Sequence, residues 1–543
     1  MKKIELIIYD VLERFGSQGA LGRLLTRFFN LKLHRAMSML KIGLLFRILN
    51  KRSNGHGRLS AGIMYPFFLF AQMGRTRGII FNSIEILQTI LSIAPGHVGA
   101  SLALAEIYYD IGEISTAKVY FDNLLENERN RTQHFDFDKF KTRLSLEVLD
   151  PAGTNQTIYR EATQLAQHVW RPKSRHPDIN SQPKSSPTLQ KKVNIGFNCS
   201  FWDAYGLELF FFPIIKQIDR SAFNLFFFGP SVGQGDNGSY TFRDTARLDD
   251  LQYTRLLQAD DIHILIDLDG HIPGTRFKAI AQKIAPVQVC YFNYASTSGV
   301  RTFDYFLADP EIVPPNNDCY YSEKIFRLDC PLYTFKKPNH WPKPTPSPFR
   351  RNGYVIFGFF GNPIKLNSKV LNCWAMILNS VARSRLLIIG PKFGFSDFKQ
   401  QITNRMLRAG FKADQLIFHK GMEHADLLAV YGEVDLILDP FPYNGGHTMV
   451  EALLLGVPLI SLTGDRFVSR VGRSILGYAN LGELIADSED IYLEKYISLA
   501  NNPERLSLLR HTIVETITDS PVCNTEAAAR AWESAFQSMS DPA

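Results

Sequence analysis

The stretch richest in chemistry covers residues 434–455. Val434-Asp-Leu-Ile-Leu438 is an apolar run of strand length with a single charge, and Asp439-Pro440 and then Pro442 stop it, because proline has no N–H to give to a ladder. Asn444-Gly-Gly446 is a turn whose bare backbone can come close to a ligand, and residues 448–455 read as a helix. A strand, a glycine turn and a helix N-terminus together make a site for anionic groups, since free N–H groups and the helix dipole point at the ligand. His447 and Thr448 stand at that N-terminus, and Glu451, one turn in, can accept hydrogen bonds from ribose hydroxyls. The spacing is neither a P-loop nor the dinucleotide fingerprint. The same pattern also fits an ordinary strand-to-helix turn of an α/β domain.

Such a turn needs a sheet behind it. Apolar runs of strand length occur at residues 193–198, 223–228, 263–268 and 287–291, and again at 354–359, 385–390, 416–418, 436–438 and 458–462. Helical patterns lie between some of them, at 207–218, 277–284 and 368–379. Alternating strands and helices predict mostly parallel sheets. The proline-rich residues 338–348 divide the two series, giving successive α/β domains at 193–345 and 346–543 with a cleft between them. Ahead of them, residues 171–192 are polar and proline-rich, a linker. Within 61–170, Leu104, Ala105, Tyr108, Gly112, Ala117 and Phe121 follow the tetratricopeptide pattern of small and large residues. A shift by that repeat's period of roughly 34 residues places Gly78, Ser83 and Leu87 beneath Gly112, Ala117 and Phe121, a degenerate preceding repeat. Residues 136–170 read as helix. Residues 1–60 form a basic helical segment with no acid between Leu21 and Arg52. Its apolar stripe either packs on the next domain or makes peripheral contact with an anionic membrane.

At 543 residues the chain holds two or three domains. A formal charge of +7 tolerates anionic ligands without arguing for nucleic acid. The six cysteines form no C-x-x-C pair, so neither a zinc site nor a redox motif is expected. Acids break the short apolar run at residues 1–10, which is not read as a signal peptide. No run reaches the roughly 18 apolar residues of a membrane span, and a reducing cytoplasm is the expected setting.

Asp439-Pro-Phe-Pro-Tyr-Asn-Gly-Gly446, then Glu451-Ala-Leu-Leu-Leu-Gly-Val-Pro458 and Leu462-Thr-Gly-Asp-Arg-Phe-Val-Ser-Arg-Val-Gly472, resemble the C-terminal signature of the O-linked N-acetylglucosamine transferase family, nearest its bacterial and SPINDLY-like branches. The likeness runs in order from about residue 193 to the C-terminus. It implies an α/β GT-B fold of two Rossmann-like lobes, preceded by an α-helical tetratricopeptide-like domain, with the nucleotide sugar held mainly by the second lobe. Phe359-Phe-Gly-Asn-Pro-Ile-Lys365 matches a motif whose lysine contacts the diphosphate. A cation there neutralises the charge that develops as the sugar leaves. Asn362 matches a polar nucleotide-binding position, with Gly361 where asparagine is usual. Asn444, Gly445, Gly446, His447, Thr448 and Glu451 align with the nucleotide-binding turn. Gly446 replaces histidine or threonine, and His447 replaces threonine. Glu451 matches the acid that holds the ribose. A histidine that contacts the nucleotide in many relatives falls at Leu427; His424 is nearby, and the role is not transferred to it.

Asn198-Cys-Ser-Phe-Trp-Asp-Ala-Tyr-Gly206 matches a loop whose histidine has been proposed as general base, and Tyr205 stands in its place. Tyrosine, with a reference pKa of about 10, is a poor base; Asp203 can serve if it reaches the acceptor. Asn293-Tyr-Ala-Ser-Thr-Ser-Gly299, with Thr297, matches a loop that shapes the sugar pocket, or stabilises itself through its own hydroxyls. Asp267-Leu-Asp269 looks like a metal motif of another architecture, but ends a parallel strand and is read as part of the cleft lining, with no metal site and no cofactor. The resemblance therefore implies an inverting, metal-independent enzyme moving a sugar, expected to be GlcNAc, from a UDP-sugar to Ser/Thr hydroxyls of a protein. The alternatives are a repeat-bearing adaptor without turnover, suggested by Tyr205, Leu427 and Gly446, and a transferase acting on a glycan or lipid. No oligomeric state is read from the sequence.

Overall fold

A computed structural model of the chain describes residues 80–131, 137–169, 192–230, 240–272, 275–338 and 341–540. The basic segment 1–60, Gly78 and all of the linker except Lys192 lie outside the described residues. The described residues fall into two compact units: residues 80–131 with 389–409 and 418–421, and the remainder.

In the first unit, helices α1 (Ile80–Ile93), α2 (Val98–Asp110) and α3 (Ile114–Arg131) run as consecutive hairpins. The small residues do what the repeat pattern requires: Ala105 and Ala117 are buried, so α2 and α3 approach closely, and Leu104 and Phe121 fill the space beside them. Gly112 turns the chain between them at φ +80°, a conformation that L side chains resist. On α1, Ser83 and Leu87 are fully buried, as the shifted repeat predicts. The Arg405 guanidinium, on α8 (Ser396–Arg408), meets Glu113 at 2.6 Å beside the α2–α3 turn.

Helices α4 (Phe137–Leu149) and α5 (Asn155–Val169) belong to the second unit, and the described strands form two sheets. Seven described strands form the first: β1 (Val193–Asn198), β2 (Phe223–Gly229), β3 (Thr241–Asp244), β4 (Ile264–Asp267), β5 (Val287–Cys290), β6 (Tyr305–Ala308) and β7 (Lys324–Arg327). Their order is β3-β2-β1-β4-β5-β6-β7 and every pair is parallel. Six described strands form the second: β8 (Ile356–Phe359), β9 (Arg385–Gly390), β10 (Leu416–Lys420), β11 (Leu436–Leu438), β12 (Leu459–Leu462) and β13 (Ile485–Ala486), in the order β10-β9-β8-β11-β12-β13. The order reverses between β1 and β4, and between β8 and β11. Crevices at the carboxyl ends of such switch strands are where open α/β sheets bind ligands. The loops after β1, β4, β8 and β11 carry Tyr205, Asp269, Lys365 and Asn444.

Two expected helices are shorter than their patterns suggest. Residues 207–218 split into α6 (Tyr205–Phe210) and a turn at Phe212–Ile215, because Pro213 cannot donate to the preceding helical turn. Residues 277–284 give only Phe277–Ile280, and the chain then passes through Lys283 at φ +59°.

The last helices tie the unit together. From α7 (Ser368–Ser380), Trp374 donates to the Tyr492 hydroxyl of α11 (Glu489–Ala500) at 3.0 Å, and that hydroxyl donates to the Asp439 carbonyl at 2.7 Å. Tyr496, also on α11, accepts from the backbone N–H groups of Asp439 (3.1 Å) and Ile460 (3.0 Å), clamping the ends of β11 and β12. Helix α12 (Thr525–Ser540) returns to the first sheet, where Trp532 packs edge-on against Tyr291 and Glu533 accepts from the Asp219 N–H at 2.6 Å. Tyr496→Phe leaves two buried N–H groups without an acceptor, so urea denaturation should show a loss of about 1–3 kcal/mol; a change below about 0.5 kcal/mol would deny the clamp.

Candidate functional site

The site is built at the β8/β11 switch. After β8, the Asn362 side-chain amide oxygen caps a short 3-10 turn by accepting from the Ile364 N–H at 3.1 Å, and Asn367 caps α7 on the Val370 N–H at 3.0 Å. The Asn367 amide also donates to the Phe441 carbonyl at 2.7 Å, joining the two switch loops. These caps aim Lys365. Its Nζ donates to the Asn444 carbonyl at 2.8 Å and lies 4.3 Å from the centre of the Tyr443 ring. Burial pulls Lys365 down to about 8, against the opposing pull of Asp439. Asp439 is itself buried and accepts from the Gly445 N–H at 2.7 Å and the Ser461 hydroxyl at 2.6 Å; burial pushes it up to about 7. A Cβ on Gly445 would stand 3.1 Å from the Asp439 carboxylate and 3.2 Å from the Thr448 hydroxyl, so glycine lets the turn close. The next helix, α10 (His447–Leu454), starts at Gly446, which has no side chain to cap it. The Met449 and Val450 N–H groups donate to the Gly446 carbonyl at 3.1 and 3.3 Å, and the start of the helix borders a concavity that Lys365, Gly445 and Thr448 line.

One turn into α10, the buried Glu451 gathers groups from both lobes. Its Oε1 lies 2.8 Å from Nε2 of His424, on α9 (His424–Val430), and its Oε2 accepts from the Tyr431 hydroxyl at 3.1 Å. From the first lobe, the Tyr205 hydroxyl lies 2.9 Å from His424 Nε2, 3.2 Å from its Nδ1 and 3.5 Å from Glu451 Oε1. The Tyr205 ring sits 4.4 Å from that of His424 and edge-on to His447. Burial, with the Glu451 and Glu208 charges, raises the Tyr205 phenol and keeps it protonated. Burial lowers His447 and favours the neutral ring. The resemblance places the nucleotide-contacting histidine of many relatives at Leu427; His424, one helical turn earlier, is the histidine that lies against Glu451, and three residues of spacing put the two positions on one helix face.

Other residues singled out in the sequence lie elsewhere. Asp203 is exposed and makes no hydrogen bond or ion pair with any described residue. Thr297 is buried: its hydroxyl donates to Glu323 at 2.7 Å and accepts from the Gly299 and Ser322 N–H groups, so it braces its own loop. Asp267 and Asp269 also point inward. Asp267 accepts from Asn198 at 2.7 Å and Tyr294 at 2.8 Å, and Asp269 accepts from the Ser200 backbone N–H at 2.6 Å and its hydroxyl at 2.7 Å. Burial and the neighbouring carboxylate push Asp267 up to about 7. Among the described residues no group of three or more His, Cys, Asp or Glu side chains is placed to hold a metal. The motif at residues 462–472 is a clasp. Arg466 donates to the Val148 and Asp150 carbonyls at 3.1 and 2.9 Å, and Arg470 donates to the Glu311 carbonyl of the first lobe at 2.7 Å.

Two parallel-sheet lobes, each with a switch point in its strand order, define a GT-B architecture. Residues 238–335 and 350–531, more than half of the chain, match glycosyl transferase family 41, and the chain belongs to that family. It is 30% identical over 383 residues to the probable UDP-N-acetylglucosamine–peptide N-acetylglucosaminyltransferase SPINDLY of Arabidopsis thaliana, covering 68% of this chain and 42% of that protein. The SPINDLY protein of Petunia hybrida is 33% identical over 300 residues, covering 55% of this chain and 32% of that one. The chain thus spans less than half the length of these relatives. In fold it is similar to a mutant of the Thermobaculum terrenum O-GlcNAc transferase, with a TM-score of 0.76 at 22% identity over 96% of this chain and 97% of that one.

Asp439 holds Lys365 in its charged form. Asp439→Asn removes that anion while keeping an amide that can still serve Gly445 and Ser461. Lysine NMR titration should find Lys365 lower in the variant than in the wild type; a rise would mean that the carboxylate does not face it.

Proposed function

We propose that the protein transfers a sugar, GlcNAc, from a UDP-sugar to Ser/Thr hydroxyls of a protein acceptor, with inversion and without a metal ion. The observation that carries this reading is the cation at the turn: Lys365 Nζ lies beside the Asn444–Thr448 backbone at the uncapped start of α10. A diphosphate there meets a lysine and free N–H groups together, the combination that stabilises charge as it develops on a leaving group. The family and the relatives' names support the donor and acceptor classes. Asn362 and Thr448 border the nucleotide side, and the acceptor approaches past Tyr205 and Asp203. Metal independence is supported by the Asp267 and Asp269 carboxylates, which already serve protein donors. The described residues contain no helix long and apolar enough to cross a membrane, and the unpaired cysteines suit a reducing cytoplasm.

The test is release of UDP from UDP-GlcNAc, in excess EDTA and with cell extract as acceptor. A mass-spectrometric search for N-acetylhexosamine on proteins accompanies it. Adducts on glycan or lipid fractions alone would change the acceptor class, manganese-dependent release would restore a metal, and UDP binding without release would favour an adaptor.

Lys365→Ala should leave the fold intact and cut turnover by about 10²-fold or more. In the wild type the sign of the pH effect follows from a lysine that must stay charged. It is protonated below about 8, so kcat/KM should fall as pH rises through that value. A bound diphosphate favours the charged form, so the fall in kcat should lie at higher pH. A flat alkaline profile would remove the role given to Lys365.

A further inference from the structure

A lysine that receives a leaving diphosphate has to be held without being neutralised. A carboxylate in direct contact would occupy its donors and cancel its charge before the diphosphate arrives. Asp439 faces Lys365 but spends its oxygens on the Gly445 N–H and the Ser461 hydroxyl. Among the described residues, the Asn444 carbonyl is the acceptor that Lys365 Nζ reaches, at 2.8 Å. The Tyr443 ring lies against the same ammonium, with its centre 4.3 Å from Nζ. An aromatic face attracts a cation through its quadrupole and takes up no directed hydrogen bond in doing so. The ammonium can therefore exchange the Asn444 carbonyl for a phosphate oxygen and stay against the ring.

The chain fixes that ring from both directions. Before it, Phe441 is buried, with its ring edge-on to Tyr492 and its carbonyl accepting from the Asn367 amide at 2.7 Å. After it, the Asn444 N–H donates to the Val468 carbonyl at 3.0 Å, and the Asn444 side-chain amide donates to the Pro440 carbonyl at 3.2 Å. Lys365 comes from the loop after β8 and Tyr443 from the loop after β11, so cation and ring meet from the two switch strands. We propose that Tyr443 is a positioning residue for the transfer: its ring face holds the Lys365 ammonium at the turn where the diphosphate leaves. Its part in catalysis rests on the transfer reading above; the contact between ring and cation does not. The titratable groups that face the ammonium or line its concavity are Asp439 at the end of β11, Tyr431 from the turn after α9, His447 at the start of α10 and Tyr443 itself, whose own neighbour is Tyr333. Weakening the ring's attraction disfavours the charged form, so the lysine pKa falls.

The test places phenylalanine, and then its mono-, di- and trifluorinated analogues, at position 443 of the full-length chain. Fluorine draws electron density from the ring face and keeps the ring's shape, so a packing role alone would not respond. Lysine NMR, with no donor or acceptor present, should show the Lys365 pKa falling with each added fluorine, by about 0.5–1 pH unit in total. Tyr443→Leu should lower it as well and cut kcat by about 10-fold. Tyr443→Phe, which keeps the ring face, should restore kcat to within about threefold of the wild type. Because Tyr443 works through Lys365, adding Tyr443→Leu to Lys365→Ala should change the remaining rate by less than about twofold. Should Tyr443→Leu fold poorly, kcat across the fluorine series takes its place and should fall with each fluorine. A lysine pKa indifferent to fluorine, or losses that multiply in the double variant, would overturn the positioning role and leave the transfer reading intact. No UDP release from the wild type with any acceptor would overturn the transfer reading, and with it the ring's part in catalysis, even with the fluorine dependence of Lys365 intact.

Discussion

The site depends on one buried carboxylate. Asp439 ends β11 where the chain must leave the sheet, and burial would make an unpartnered charge there costly. It is satisfied by the Gly445 N–H and the Ser461 hydroxyl, and it faces Lys365. Those contacts set the shape of the glycine turn and leave a lysine beside it. The backbone of the same residue is held from the other side by the hydroxyls of Tyr492 and Tyr496. The shape of the turn is therefore supported by α11, β12 and the loop after β8 together.

The two lobes share a second kind of constraint. Tyr205 meets His424 and Glu451 across the crevice, Ser474 donates to Asp309 at 2.7 Å, and Arg473 pairs with Glu311. Helix α12 adds an aromatic seam, with Phe536 and Trp532 packed against Phe223 and Tyr291. The polar contacts cluster around the crevice, while the apolar seam lies along the first sheet. A rigid apolar attachment combined with exchangeable hydrogen bonds suits a site that must admit and release a ligand.

The helical repeat in the first unit follows from a simpler rule. Small residues at Ala105 and Ala117 let two helices meet, and a glycine with positive φ joins them. The Tyr108 and Tyr120 rings stack at 5.5 Å, and Gln88 of α1 donates to the Tyr108 hydroxyl at 3.1 Å, extending the packing to the preceding helix.

Much of this was legible in the sequence, for local reasons. Strands buried on both faces read as continuous apolar runs, so β1, β2, β8, β9 and β11 stood close to their expected positions, and glycine and proline marked the turns. The tetratricopeptide spacing and the order of the family's motifs were equally local. The edge strands β3, β7 and β13 escaped, because half-exposed side chains break their apolar runs, and β6 was missed with them. What only the tertiary structure decided is where polar side chains spend their hydrogen bonds. Thr297 turned to Glu323, and Asp267 and Asp269 turned inward to Asn198, Tyr294 and Ser200. Glu451 bonds His424 and Tyr431, and His424, which alignment had passed over, lies against a tyrosine 219 residues earlier in the chain. A residue's type limits which bonds it can form, but its partner is chosen by the folding of distant segments into one crevice, and no local spacing encodes that choice.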